Sequence, residues 1–230
     1  MQAHPSAQLN GRAMNTSVEV ALLVPVAYLL GTFPSATLVA RRRGVDVTAE
    51  GSGNPGASNT FRLLGWKAGA LVFALDVLKG ALAALAGLAV DGHRGAYVLG
   101  VAAVLGHVLP VTRKFKGGRG VATGAGVLLV IFPVLTLAMA ALWVVLARLT
   151  RKASIASITV AIAYPIAVAL AGHEAGDIIV ISVMALLVVA RHLSNVRRLV
   201  KGEELGLDPT TDPAKERDDP PDVGDERAAS

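Results

Sequence analysis

Six apolar runs separated by clusters of basic residues constrain this chain more than any other feature. They cover Val18 to Ala40, Trp66 to Val90, Gly95 to Pro110, Val121 to Ala147, Ile155 to Ala171 and Gly176 to Ala190. Several reach the 17–25 residues that cross a bilayer as a helix, a length at which only helices or closed barrels satisfy every backbone group. Hydrophobic residues make up 53% of the 230 positions and charged ones only 17%. Soluble domains carry about a quarter charged residues, so a disordered chain is ruled out and the composition argues against a water-soluble enzyme. The expectation is an all-α, polytopic integral membrane protein.

The basic clusters set its orientation. Counted as one span, Val121 to Ala147 puts Arg148, Arg151 and Lys152 on the opposite side from Arg41, Arg42 and Arg43. A turn at Phe132-Pro133 splits that run and places sixteen basic residues on one face, leaving Arg12 and Arg94 on the other. The positive-inside rule then selects about seven transmembrane helices, with the N-terminus out and the C-terminus in. The 31 residues from Gly120 to Thr150 are too few for two full spans of about 20 residues. These two helices are therefore expected to be short, tilted or partly re-entrant.

Three divisions follow: a polar N-terminal segment over 1–17, a membrane domain over 18–204 and an acidic tail over 205–230. The tail holds eight acidic residues against three basic ones and four prolines, a composition that cannot bury enough apolar surface to order itself. With no Cys, disulfides, thiolate metal sites and thiol catalysis are excluded. Aromatics amount to only 4%, which argues against stacking platforms for nucleic acid. The histidines show no metal-ligand spacing such as H-E-x-x-H.

Chemistry is expected where the apolar runs stop. The first polar segment runs from Gly51 to Arg62 and contains Ser52, Gly53, Asn54, Gly56, Ser58 and Asn59. Its glycines let backbone N–H groups turn toward an anion and its arginine can clamp one. The glycine spacing also fits G-x-G-x-x-G, but a membrane span precedes it where the dinucleotide motif needs a strand. Ala57 stands where a P-loop needs lysine. The second segment, Lys114 to Thr123, places Gly117 and Gly118 between Lys114, Lys116 and Arg119 at the start of a helix, another anion-binding arrangement. A loop that only sets topology needs the charge but not the glycines. In the third, Arg191 to Glu204, His192 and Asn195 share a face if the last span continues as a helix. A histidine there can take an alcohol proton or bind phosphate.

Smaller features have simpler readings. Asp76 and Lys79 are three residues apart within the second span and are expected to pair. His107, before Pro110, is expected to orient a loop, and Ser154 and Ser157 can cap the helix after Arg151 and Lys152.

The three polar segments, in this order and on one face, resemble the PlsY-type bacterial glycerol-3-phosphate acyltransferases. The similarity extends from about Gly31 to Glu204 and includes Asp76, Lys79, Gly80, Gly106, His107 and Pro110. Ser58 stands where the family usually has Thr, and Arg119 where Lys is usual. The resemblance implies a seven-span enzyme that moves a fatty acyl group from acyl phosphate to the 1-hydroxyl of glycerol 3-phosphate, giving lysophosphatidate and phosphate. It implies no metal, no cofactor, and a site on the cytoplasmic side of the bacterial inner membrane. By position, Arg62, Lys114 and Ser154 would hold glycerol phosphate, while Ser52, Asn54, Ser58 and Asn59 would shape the donor site. His192 and Asn195 would orient the acceptor hydroxyl, with Gly51, Gly53, Gly56, Gly117, Gly118 and Arg119 lining the substrate sites. The expected partners are the two phosphorylated substrates and membrane lipid, without nucleic acid. Two other readings fit the charge pattern: a transporter of small phosphorylated anions, and a non-catalytic scaffold that uses the acidic tail.

Overall fold

The computed structural model describes residues 5–207, with side chains from residue 16 onward. Among the described residues the regular structure is entirely helical: α1 (Pro5–Gly31), α2 (Ser35–Arg41), α3 (Ala57–Val108), a 3₁₀ turn (Val111–Arg113), α4 (Val121–Ile131), α5 (Pro133–Thr150), α6 (Ala153–Leu170), α7 (Ala175–Arg191) and α8 (Leu193–Val200). Four of the helical stretches are long and apolar enough to cross a bilayer, or five if the bent pair α7–α8 counts as one.

α3 is not a single rod. Gly65 (φ 78°) and the pair Asp91–Gly92 (Gly92 φ 56°) interrupt it, and the chain folds back at each. Gly87 and Gly95 are eight positions apart, which along one helix would separate them by about 12 Å at 1.5 Å per residue. Instead a Cβ on either would overlap the backbone of the other. The two spans expected over Trp66 to Pro110 are therefore an antiparallel hairpin closed at Asp91–Gly92, and small residues let its arms touch.

The other breaks are also local. Phe132 (φ −131°, ψ 67°) separates α4 from α5, and Pro133, in the first turn of α5, is tolerated where its missing N–H has no helical partner anyway. The expected turn at Phe132-Pro133 is thus present. The first run, expected as one span, breaks at Thr32–Pro34 because proline disfavours helix in the residue before it. α1 already begins at Pro5, within the polar segment expected to precede the first span.

The core sits where α3, α4, α6 and α7 meet, around Val104, Val108, Val127, Val168, Ile181 and Met184. Gly80 lies against Thr123 of α4, and Gly126 against Val77, so closely that a Cβ at either position would overlap backbone. Large apolar side chains such as Leu22, Phe73, Leu137, Leu170 and Leu186 point outward. A bundle that exposes large apolar side chains while burying Asn59, Arg62, Asp76 and Lys79 fits a lipid surround.

Candidate active site

Four irregular segments converge at one end of the bundle, and each is shaped by its own residues. In the first, Gly51 and Gly53 take left-handed φ values (61° and 66°), which glycine adopts without cost. Asn59 then fixes the loop from below. Its Nδ2 donates to the carbonyls of Val47 and Glu50 (both 3.0 Å), and its Oδ1 accepts from the Ser52 N–H (2.8 Å) and from Arg62 Nη1 (3.2 Å). Asn59 is thus saturated and only 1% exposed, so it acts as the loop's brace rather than shaping the donor site directly. Gly51 packs on that amide, and a Cβ at Gly56 would crowd Asn54 Nδ2.

The second segment, between the 3₁₀ turn and α4, carries positive φ at two non-glycine residues, Lys114 (51°) and Phe115 (60°). Such backbone persists only when its surroundings hold it. Here Tyr28 Oη donates to Leu109 O (2.7 Å) and accepts from the Val111 N–H (3.1 Å), while the Gly118 N–H donates to His107 O (3.1 Å) and Arg191 Nη2 to Gly117 O (3.1 Å). Gly117 and Gly118 are buried and Lys114 is exposed.

The third segment is the short link before α6, which brings Ser154 (3% exposed) inward. The fourth begins at His192, where α7 and α8 bend by 52°. The last span therefore does not continue straight. Asn195 instead enters from the first turn of α8, whose Val196 N–H donates to His192 O (2.9 Å). Asn195 Nδ2 donates to Glu204 Oε1 (2.6 Å), and Arg198 Nε donates to Glu204 Oε2 (2.9 Å). Residues 205–207 continue across the site, with Arg62 Nε donating to Gly206 O (2.8 Å) and the Leu207 N–H to Arg151 O (2.8 Å). A boundary after Glu204 would cut through this packed strap, and the rest of the acidic tail lies outside the described residues.

A cleft results, lined by Ser52, Ser58, Arg62, Arg119, Ala153, Ser154, Asn195, Glu204 and Leu205. Six residues expected at the site (Ser52, Ser58, Arg62, Arg119, Ser154 and Asn195) meet there from distant stretches of sequence. Gly51, Gly53, Asn54, Gly56, Asn59, Gly117 and Gly118 form the backbone around it rather than its lining. Lys114 and His192 do not line it either. Glu204 was missed as a site residue, although it ends the third segment. A pair of acids, Glu203 and Glu204, closing a basic stretch was the available signal.

The electrostatics favour an anion. Arg62 and Arg119 face a single carboxylate, and burial pushes Arg119 down to about 10, against the attraction of Glu204. Burial alone would raise the Glu204 carboxyl, but hydrogen bonds from Asn195 and Arg198 hold it below its usual range. His192, just beyond the end of α7, is pushed down to about 4, chiefly by burial. Its Nδ1 lies 2.7 Å from Val188 O. A carbonyl can only accept, so Nδ1 carries the proton and Nε2 keeps its lone pair. No group of His, Asp and Glu suited to a metal ion occurs among the described residues.

Comparison with known proteins gives relatives along most of the chain. The profile of the glycerol-3-phosphate acyltransferase family matches residues 21–202. The glycerol-3-phosphate acyltransferase of Bacillus subtilis (strain 168) is 40% identical over 186 residues, covering 80% of this chain and 96% of the relative. That of Thermoanaerobacter sp. (strain X514) is 40% identical over 188 residues, covering 81% and 95%. The crystal structure of PlsY, an integral membrane glycerol 3-phosphate acyltransferase, in its glycerol 3-phosphate form is 38% identical and superposes with a TM-score of 0.78 over 82% of this chain and 95% of that one. Its lysophosphatidic acid form gives 0.76.

Proposed function

The chain belongs to the glycerol-3-phosphate acyltransferase family, a multi-pass membrane acyltransferase acting on glycerol 3-phosphate, and from that membership we propose that its acyl donor is a long-chain acyl phosphate. In this reaction the 1-hydroxyl oxygen of glycerol 3-phosphate attacks the acyl carbonyl carbon. The bond from that carbon to the phosphate oxygen breaks, and lysophosphatidate and inorganic phosphate leave. The observation that carries the reading is the cleft in which Arg62, Arg119 and Ser154 meet Ser52, Ser58 and Asn195.

Both substrates carry phosphate, and two guanidiniums with several hydroxyl and amide donors match their charge. An acyl phosphate is already activated, so no covalent nucleophile is needed, and positioning with stabilisation of developing negative charge is enough. Arg62 and Ser154 hold the glycerol phosphate, while Ser52 and Ser58, at the opposite loop, face the donor. Asn195, anchored through Nδ2 to Glu204, keeps Oδ1 for the acceptor hydroxyl. The proton goes to His192 Nε2 or to the donor's own phosphate. Burial keeps His192 neutral at pH 7, the state a base requires.

The same reading places seven spans in the bacterial inner membrane, N-terminus out, with the cleft on the cytoplasmic side. Its support is the charge pattern: Arg41–Arg43, Arg113, Arg119, Arg151, Arg191 and Arg198 all lie at or near the four converging segments. The test is purified protein in detergent with labelled glycerol 3-phosphate and either palmitoyl phosphate or palmitoyl-CoA. Lysophosphatidate from palmitoyl phosphate alone is the expected result. Product from the thioester alone would overturn the assignment of the donor, and accumulation of glycerol 3-phosphate in proteoliposomes without product would favour a transporter.

A further inference from the structure

A buried polar chain lies beneath the second loop, outside the cleft. Asp76, Lys79 and His107 are 1%, 3% and 4% exposed, and Ser35 is 3% exposed. Lys79 Nζ pairs with Asp76 Oδ1 (2.8 Å), contacts His107 Nδ1 (2.8 Å) and donates to Phe33 O (3.3 Å). Ser35 Oγ donates to Asp76 Oδ1 (2.6 Å). An ammonium has three N–H donors and no acceptor, and here all three are directed at acceptors. His107 Nδ1 must then accept, which puts the ring proton on Nε2.

Part of this chain has a structural purpose. At the break over Thr32–Pro34 the Phe33 carbonyl accepts from the Ser35 N–H (3.0 Å). Lys79 is its second donor (3.3 Å), and Asp76 balances the lysine. Neither task needs the far edge of His107. That edge meets the glycine loop: a Cβ at Gly118 would overlap Nε2, and one at Gly117 would overlap His107 O. The Gly118 N–H also donates to His107 O (3.1 Å). The loop is thus seated on His107 through both backbone and ring, and the next residue, Arg119, enters the cleft.

We propose that His107, its ring fixed by Lys79 and Asp76, is a positioning residue that sets the Gly117–Arg119 backbone for substrate phosphate. The proposal rests on the function proposed above. It acts through the loop, so it governs how tightly phosphate is held rather than the chemical step.

Two substitutions separate this role from a structural one. His107→Asn keeps an acceptor at the position of Nδ1, facing Lys79, but loses the reach to Gly118. His107→Gln places its terminal amide at the position of Nε2, against Gly118, and gives up the Lys79 contact. Each variant is purified in detergent, its Tm is recorded, and KM and kcat for glycerol 3-phosphate are measured with palmitoyl phosphate. The Kd for glycerol 3-phosphate is measured on the same samples by calorimetry. We expect His107→Asn to raise KM and Kd about tenfold with kcat nearly unchanged, since misplacement by about 1 Å can cost up to 100-fold. His107→Gln stays within about threefold of the parent in both constants. Unchanged KM and Kd in folded His107→Asn, equal losses in both variants, or a loss confined to kcat would each overturn the proposal. Parent protein that binds glycerol 3-phosphate but forms no lysophosphatidate would refute the catalytic reading alone, leaving the Kd comparison to decide the role of His107.

Discussion

Replacing Arg62 by Ala tests the cleft most directly, because the structure shows what holds this guanidinium and what it faces. Its Nε donates to Gly206 O and its Nη1 to Asn59 Oδ1, two fixed points on opposite sides. The side chain is 7% exposed, so it is pre-set rather than searching for its ligand. A hydrogen bond to a charged group contributes about 1.5–3 kcal/mol. At 1.4 kcal/mol per factor of ten, the loss of one such bond to phosphate predicts a rise in the glycerol 3-phosphate KM of roughly 10- to 150-fold. Arg62→Lys keeps the charge but cannot reach Gly206, Asn59 and a phosphate together, so it should fall between the two. The assay varies glycerol 3-phosphate at saturating palmitoyl phosphate and follows lysophosphatidate. An unchanged acceptor KM with a raised donor KM would refute the reasoning and exchange the two phosphate sites.

Other outcomes follow from the same geometry. Arg119→Ala should weaken glycerol 3-phosphate about tenfold or more, whereas Lys114→Ala, at an exposed position outside the cleft, should change its KM less than about threefold; the reverse order would show that the loop closes differently over substrate. Gly80→Ala places a Cβ into the Thr123 carbonyl, and such overpacking costs about 1–3 kcal/mol, whereas the Cβ of Gly124→Ala meets only Met184 Cε at 3.8 Å; thermal unfolding in detergent should show a lower Tm for the first alone. For His192 the folded value of about 4 lies below the ordinary 6.5. Above pH 6.5 the group is neutral in both folded and unfolded chains and costs nothing. As pH falls from 6.5 toward 4 the unfolded chain takes up a proton that the folded one refuses, so stability declines, and His192→Gln should remove that component. If His192 is the base, kcat should stay level through pH 6.5 and fall only near 4, and an acid limb at 6.5 would contradict its burial.

The sequence revealed what local chemistry determines and hid what depends on long-range packing. Apolar length announced a membrane bundle, and the proline after Phe132 announced a break, because both act within a few residues. The pairing of Asp76 with Lys79 was equally legible, since helical spacing of three places them together and an unpaired charge in lipid is costly. The roles within the polar segments were less so. Asn59 reads as a ligand in a Gly-Ser-Asn loop, yet its four hydrogen bonds to Val47, Glu50, Ser52 and Arg62 leave nothing for substrate. The bend at His192 has no proline or glycine to mark it. It matters because it brings Asn195 and Arg198 onto Glu204 and draws residues 204–207 across the cleft, a contact with Arg62 spanning 144 positions. Lys114 and Arg119 are five positions apart in one basic loop, yet Lys114 is exposed, while Arg119, next to the Gly118 seated on His107, lines the cleft. Charge and glycine content therefore identify the loop, while the residue packed beneath it selects which of its cations can meet the phosphate.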